Sequence, residues 1–532
     1  MSVRRGTCAA LRQAASGLLL AAALAPPALA HVGSPDTWFE GSAGPYPVRV
    51  VVRAPGVVPG LAEIDVRVLG GHADHVSVQL YGWNVGAHGA PPPDDAKPVP
   101  GDPRLWSVSL WFMEPTSYGV HLAVSGREGG GLVVIPVQAV ATRRLPMGPG
   151  LTTILLGLTL FLFCGWVTIV GAAARESGLP PGAEPGPERI ARGRVAMAVA
   201  AAGLAAVLYG GLSWWRSVDR AYVAGLYRPL HAVASVADSA GVPWVRLAID
   251  DERMMGRRWT PLIPDHGKLV HLFLLDVPGM QAMAHLHPIM RDSTHFDAAL
   301  PPLPAGDYQA YADIVHESGF AQTLTAAVAL PAGLPTAYEP SDADDAWSAE
   351  PPVPVVGAGE TSCPLADGST MTWLGGAELS TSRADARLRF RVAAPGGAPA
   401  RLEPFLGMAA HAIVRSADGT VFAHLHPTGS VAMASEMALT LRAPGDSVPG
   451  TLGRRLTQAG AMDMGMGPEL AGDFGIPWGF PKPGRYRVWV QVKRSGAILT
   501  GAFDVDVAAT APRGPAARAA GTKDLRALGW LP

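Results

Sequence analysis

The pentapeptide AHLHP occurs twice in this 532-residue chain, at residues 284–288 and 423–427. Each copy carries two histidines one residue apart, although the whole chain contains only 15 histidines. Imidazole nitrogens are common ligands of zinc and copper. The repeated motif therefore indicates a metal site, a structural device inherited by duplication, or both.

The second copy is predicted to form the second strand of a β-hairpin. An Asp-Gly dipeptide at 418–419 is a strong two-residue turn signal. The register set by that turn places His411 directly opposite His426. Because side chains alternate along a strand, His424 projects from the same face.

The first copy is predicted to form an equivalent hairpin. A three-residue turn over 278–280 places His271 opposite His287, with His285 on the same face. Each hairpin would then present three imidazoles, which with an open position form a known zinc or copper geometry. The alternative is that these rings are only packed or hydrogen-bonded.

Further candidate ligands lie outside the hairpins. His316 follows the first hairpin, but Arg494 stands at the corresponding place in the second copy, so the two sites would not be equivalent. Met462, Met464 and Met466 form an MxMxM run among glycines, and their thioethers are soft metal ligands; the alternative is that they only pack in a core. His31 would begin the mature chain and would chelate a metal through its amine and its imidazole; the alternative is that a histidine stands there by chance. The predicted metal ligands are His271, His285, His287, His316, His411, His424, His426, Met462, Met464, Met466 and His31.

The composition favours a membrane-associated protein and no particular enzyme class. Charged residues are 16% of the chain, hydrophobic residues are 48%, and the formal net charge is -2. That balance does not point to nucleic acid. Because the chain lacks the common nucleotide-binding, hydrolase and zinc-protease motifs, we expect no catalytic residues and no enzyme.

Two uncharged runs are long enough to cross a bilayer, at 151–174 and 195–215. An arginine-containing stretch between them predicts a cytoplasmic loop. An apolar run behind three N-terminal arginines, ending in small residues, predicts a secretory signal. The predicted segments are a signal peptide (1–30), an exported β-sandwich (31–146), a transmembrane helix (148–174), a cytoplasmic loop (175–194), a second transmembrane helix (195–215), an exported β-sandwich with the first hairpin (225–333), an acidic Pro-rich linker (334–357), an exported β-sandwich with the second hairpin (358–508) and a flexible tail (509–532).

The three exported parts have the alternating pattern of short strands. Within the second and third parts, the AHLHP block and a later Pro-Gly-Tyr-type strand block follow in the same order, which favours an internal duplication. We therefore expect a mainly β protein, with three immunoglobulin-like or cupredoxin-like β-sandwich domains and two transmembrane helices.

Residues 115–137 (PTSYGVHLAVSGREGGGLVVIPV) resemble the closing strands of YtkA-like and FixH-like exported β-sandwich domains. PAGDYQAYADIVHESG and KPGRYRVWVQVKRSG show a similar Pro-Gly-Tyr strand pattern. The AHLHP hairpins resemble those of bacterial membrane-anchored proteins with exported β domains. The resemblance implies copper handling or assembly of copper-containing respiratory oxidases.

These observations together predict a periplasmic metal-binding protein anchored in the inner (cytoplasmic) membrane. Copper is the expected metal and zinc the alternative. The expected partners are the bilayer and a membrane-bound metalloprotein or oxidase. A non-metal structural module that docks a membrane protein through its β-sandwiches is the competing hypothesis.

Overall fold

The computed structural model describes residues 36–86, 89–239, 241–255, 260–336, 338–375, 386–458 and 470–509. The predicted signal peptide, His31, the three candidate methionines Met462, Met464 and Met466, and almost all of the predicted tail lie outside these residues. Of the chain, 45% is strand and 20% is helix, so the mainly β prediction is confirmed.

The first part contains two antiparallel sheets that share one core. Its strands are β1 (Asp36–Ala43), β2 (Tyr46–Arg53), β3 (Gly60–Val68), β4 (Ala73–Gly82), β5 (Asp94–Asp95), β6 (Lys97–Val99), β7 (Asp102–Phe112), β8 (Thr116–Gly126) and β9 (Gly129–Ala139). They pair in the orders β1-β2-β3-β7-β6 and β5-β4-β8-β9. Alternating valines of β2, β4 and β8 point into the shared core, which gives a sandwich-like arrangement.

Two apolar helices follow, α1 (Pro149–Glu176) and α2 (Pro187–Ala224). At about 1.5 Å per residue both exceed the roughly 30 Å hydrocarbon thickness of a bilayer, and both are apolar enough to cross one. Helix α2 begins at Pro187, so its first residues belong to the segment predicted to be a cytoplasmic loop at 175–194. Proline suits the first helical turn, and the Ala- and Arg-rich sequence after it favours helix.

The second part again consists of two sheets around one core. Its elements are β10 (Ala232–Ser239), β11 (Val242–Ile249), α3 (Glu252–Met255), β12 (Leu262–Ile263), β13 (His271–Asp276), β14 (Ala282–Leu286), β15 (Ile289–Met290), β16 (His295–Ala299), β17 (Gly306–His316), β18 (Ala321–Leu330) and β19 (Ala346–Ala349). The orders are β10-β11-β16-β15 and β12-β17-β13-β14-β19, with β18 paired to β17. The core between the sheets is aliphatic.

β19 lies inside the segment predicted to be a linker at 334–357. It pairs with β14, the strand that carries the first AHLHP motif. That segment is therefore partly an edge strand, which covers the otherwise open hydrogen-bonding edge of β14. Composition suggested a linker because prolines and acids surround these four residues.

The third part repeats the arrangement and adds helices. Its elements are β20 (Thr361–Pro364), β21 (Thr370–Trp373), β22 (Leu388–Ala393), β23 (Arg401–Leu402), β24 (His411–Ser416), β25 (Phe422–Leu425), α4 (Met433–Thr440), a 3₁₀ turn (Pro444–Ser447), α5 (Thr451–Gln458), β26 (Leu470–Ala471), β27 (Asp473–Ile476), β28 (Gly484–Arg494) and β29 (Ala497–Val507). The sheet orders are β20-β21-β22-β27, β23-β26 and β25-β24-β28-β29. The helices occupy the extra length that separates the two blocks of the second copy.

The second and third parts pack against each other through the sheets that carry the hairpins. In β13 the side chains of Leu272 and Leu274 enter the core of their own part, while Phe273 and Leu275 join an apolar cluster shared with the third part. The third part contributes Phe422, among others, to this cluster. Alternation along the strands thus gives each hairpin one face for its own core and one face for the other repeat.

The first part closes one end of this assembly. β1 bonds to the loop after the second AHLHP motif, where Glu40 donates its amide to the carbonyl of Thr428 and Ser430 donates to that of Trp38. A Cβ on Gly429 would stand 2.1 Å from the Trp38 carbonyl oxygen, so only glycine permits this approach.

Replacement of Phe422 by alanine should strongly destabilise the joined repeats. Its ring is fully buried and stacks on Tyr311 at 4.0 Å between centroids with an interplanar angle of 3°. Loss of a buried phenylalanine costs about 3–5 kcal/mol. Denaturant unfolding of the detergent-purified chain measures the loss of unfolding free energy. The control is Trp111→Ala, which removes an exposed aromatic side chain. Equal effects of the two substitutions would contradict the packing role.

Candidate metal centre

Both hairpins have the predicted registers. Phe273 pairs with His285 in the first hairpin, and Ile413 pairs with His424 in the second. These registers put His271 across from His287 and His411 across from His426. The three histidines of each hairpin project from one face, as the turn residues and the strand period predicted.

The two sets of histidines meet in one buried cluster, which the sequence did not indicate. We call His271, His285 and His287 the first triad, and His411, His424 and His426 the second triad. Across the repeat interface the ring centroids of His271 and His424 are 5.4 Å apart, and those of His285 and His424 are 5.6 Å apart. The triads are thus two halves of one centre.

Each triad has a donor arrangement that fits a metal ion. One ring nitrogen from each member lies within 4.8 Å of those of the other two. Nδ1 of His271 is 3.2 Å from Nε2 of His285, and Nδ1 of His411 is 3.1 Å from Nε2 of His424. Two imidazole nitrogens bound tetrahedrally to one zinc ion would stand about 3.3 Å apart.

The outer hydrogen bonds of the first triad fix which nitrogens carry protons. Nε2 of His271 donates to the carbonyl oxygen of Asp265 at 3.1 Å, and Nδ1 of His285 donates to Oε1 of Gln491 at 2.9 Å. The backbone carbonyl of Asp265 lacks a proton, so Nδ1 of His271 is unprotonated, and with Oε1 of Gln491 as the acceptor so is Nε2 of His285, which faces it at 3.2 Å. They cannot hydrogen-bond to each other, and a cation between them would turn this repulsion into attraction.

The second triad has the same arrangement. Nε2 of His411 donates to the carbonyl oxygen of Phe405 at 3.1 Å, and Nδ1 of His424 stands 3.2 Å from the carboxylate of Asp313. With Asp313 ionised, His424 donates, and its Nε2 faces the unprotonated Nδ1 of His411. Equivalent outer partners on both backbones indicate that the device was duplicated with the hairpin.

The outer partners are exchanged between the repeats. Asp313 lies opposite His271 in the second part and contacts His424 of the third part. Gln491 lies opposite His411 in the third part and contacts His285 of the second part. Each triad is therefore oriented by the other repeat, one through a carboxylate and one through an amide.

His287 has a carboxylate partner that sequence reasoning missed. Its Nδ1 is 3.1 Å from Oδ1 of Asp345, a fully buried carboxylate in the segment predicted to be a linker. Its Nε2 is buried and has no hydrogen-bond partner among the described residues. A carboxylate behind a histidine with a free second nitrogen is the usual outer arrangement of zinc sites. The acidic run at 342–345 was the available signal.

Burial favours the neutral form of His271, His285, His411, His424 and His426. Desolvation, followed by the neighbouring imidazoles, holds the pKa values of His271, His285, His411 and His424 well below the usual value. Burial lowers the pKa of His426 to about 3. Neutral imidazole is the form that binds metal, so little proton release opposes binding at neutral pH.

Other candidate residues are placed differently. His316 is buried, but its Nδ1 contacts the carbonyl oxygen of Thr260 at 2.8 Å and its Nε2 contacts the side-chain amide of Gln322 at 2.7 Å. It belongs to neither donor group. His266, which the motif did not include, lies with its ring centroid 5.1 Å from that of His426.

A cavity of about 340 Å³ reaches the cluster. His271, His424 and His426 are among the residues that line it, and Asp313 also lines it with a side chain that is 22% exposed. Residues of the first part, including Arg143, complete the wall. The centre is thus buried but connected to a space large enough for water and ions.

Comparisons with known proteins give no function. The family model "Domain of unknown function (DUF8832)" matches residues 364–509. No curated protein matches the chain. Among solved structures, latent PorU from Porphyromonas gingivalis is similar at 8% identity and TM-score 0.14, with 90% of this chain and 34% of PorU covered.

Two other structures are similar at the same level. The endo-fucoidan hydrolase MfFcnA4 from glycoside hydrolase family 107 has 8% identity and TM-score 0.16, with 86% of this chain and 43% of that chain covered. A three-immunoglobulin-domain fragment of titin has 6% identity and TM-score 0.15, with 85% and 94% covered. The chain spans about a third of PorU and less than half of the hydrolase. Matches at these scores carry no functional argument.

The metal-free chain should lose stability as the pH falls below about 6.5, the ordinary histidine pKa. The unfolded chain binds protons there, whereas folded His426 resists protonation down to a pKa of about 3. Each such histidine contributes a slope of about 1.4 kcal/mol per pH unit. Burial raises the pKa of Asp313 to about 7. Because the folded chain binds a proton there that the unfolded chain releases, this single group increases the stability as the pH falls from about 7 to about 4.

The unfolding midpoint between pH 7 and pH 4, measured in the presence of chelator, checks this expectation. His426→Gln should flatten the dependence, because it removes one depressed group. A midpoint that rises on acidification would contradict the neutral, buried state of the triads.

Proposed function

We propose that each triad binds a first-row transition metal ion, with copper expected and zinc the alternative. The observation that carries the proposal is the close approach of two buried imidazole nitrogens, at 3.1–3.2 Å, in both triads. With Oε1 of Gln491 and an ionised Asp313 as the outer acceptors, each pair without a cation places two lone pairs together in a buried site. Imidazole suits both metals.

The energetics of burial support the same conclusion. Nε2 of His287 is withdrawn from water without a hydrogen-bond partner among the described residues. A buried polar atom left unsatisfied costs about 1–3 kcal/mol. Coordination of an ion would satisfy this atom and the facing pairs together, and the carboxylates of Asp345 and Asp313 would offset part of the added charge.

We propose that the chain acts in metal handling or metalloenzyme assembly, anchored by α1 and α2 in the cytoplasmic membrane. Its three β-sandwich domains, of immunoglobulin-like or cupredoxin-like type, would lie on the periplasmic side. The cavity supports an entry path, since Arg143 and Tyr227 on its wall lie close in sequence to the ends of the apolar helices. The proposed partner is a membrane-bound metalloprotein or oxidase.

Binding rather than catalysis is proposed because the histidines of the triads are almost fully buried. The exposed fraction is at most 3% for His271, His285, His287, His411 and His426. The competing role, a structural module without metal, draws on the hydrogen bonds that the histidines make across the repeat interface. Those bonds would also join the repeats in the absence of an ion.

Metal analysis of the purified full chain distinguishes the two roles. The detergent-solubilised chain is loaded with Cu(I), Cu(II) or Zn²⁺, desalted and analysed for bound metal. We expect retention of up to one ion per triad, and loss of one site in each of His285→Ala and His424→Ala. Saturation at 100 times the dissociation constant would stabilise the chain by about 2.7 kcal/mol.

Two matched histidine variants control for non-specific effects. His316→Ala removes a buried histidine outside the triads, and His295→Ala removes an exposed one that contacts Asp292. Both should retain wild-type metal content. A chain that elutes free of metal, with unchanged thermal stability after loading, would refute metal binding and favour the structural role.

A further inference from the structure

His266 occupies a turn that both repeats possess. It lies five residues before His271, as Leu406 lies five residues before His411. Both residues have a φ of 49° and are followed by a glycine of positive φ, in turns closed by paired backbone hydrogen bonds. The two backbones are therefore equivalent, and the difference is an imidazole in one repeat and an isobutyl group in the other.

The ring of His266 lies beside the second triad, although its nitrogens do not belong to the donor group of His411, His424 and His426. Its centroid is 5.1 Å from that of His426 and 5.4 Å from that of His411, but 6.2 Å from that of His271. Rings within the second triad are 4.6–5.4 Å apart, so His266 is as close to them as they are to one another.

Both ring nitrogens of His266 lack a hydrogen-bond partner among the described residues, and the residue is only 6% exposed. An imidazole with both nitrogens buried and unsatisfied is costly. Such a residue is explained if an ion beside it uses one of the nitrogens.

We propose that rotation of the His266 ring brings one of its nitrogens to the ion of the second triad as a fourth ligand, which makes the two metal positions unequal. This inference rests on the proposed metal binding. The second position is a closed four-histidine site, which retains its ion. The first position has only three histidines, because the equivalent turn carries Leu406 in place of a histidine, and a three-histidine site leaves a fourth place at which an ion is exchanged with a partner.

Zinc release from the loaded full chain tests this inequality. Zinc suits the test because it prefers four ligands in tetrahedral geometry. After loading with Zn²⁺ and addition of excess chelator, we expect wild type to release one ion at least about tenfold faster than the other, since even loss of an outer-shell partner costs 10–100-fold in affinity.

Substitutions at the two equivalent turns supply the controls. His266→Asn, which tolerates the left-handed backbone, should abolish the slow phase. Leu406→His should slow the fast phase, and Leu406→Asn should leave the slow phase unchanged. Unfolding midpoints of the metal-free variants, compared with wild type, verify folding.

The outcomes separate this inference from the proposed function. A wild-type chain that binds no zinc or copper would refute both. A chain that binds two ions and releases them at one rate, or whose slow phase survives His266→Asn, would refute the unequal positions and leave metal binding intact.

Discussion

Two sheets of the second and third parts press the same strand faces together, and this contact governs the centre of the molecule. At one end of the contact the facing side chains are aromatic and aliphatic, including Phe273, Tyr311, Ile413, Phe422 and Trp489. At the other end they are imidazoles. Apolar burial holds the repeats together, and that association forces the histidines out of water.

The desolvated imidazoles explain the residues that surround them. The outer nitrogens contact a backbone carbonyl at His271 and His411, a side-chain amide at His285 and a carboxylate at His424. Gln491 and Asp313 reach across the interface, so neither triad is oriented by its own repeat alone. Separation of the repeats would remove the outer partners Gln491 and Asp313 and expose the rings, which couples the geometry of the site to the packing of the second and third parts.

The parts outside the duplication complete the enclosure. The segment between the repeats supplies β19 to the edge of β14 and Asp345 to His287. The first part covers the loop after the second motif by a close backbone approach at Gly429. The cavity is the remaining space where the three parts meet, and its walls include residues from each.

Sequence reasoning succeeded where structure is local. The hairpin registers follow from turns of two or three residues, and the shared face of each triad follows from the two-residue period of a strand. It missed the contact of Asp345 with His287, because composition placed Asp345 in a linker. It also missed the position of His266 beside the second triad, because the equivalent turn of the other repeat carries Leu406 instead of a histidine. Neither residue carries a local pattern that identifies it as part of a site.

The sequence by itself therefore determined the two hairpins, their three histidines each, the duplication and the two apolar helices, since turn chemistry, alternation and hydropathy act over short distances. Only the tertiary structure decided that the two triads form one centre. That decision depends on contacts such as His285 with Gln491, which are 206 residues apart. Such contacts arise from the burial of two complementary faces, a property of the assembled repeats that is absent from either hairpin alone.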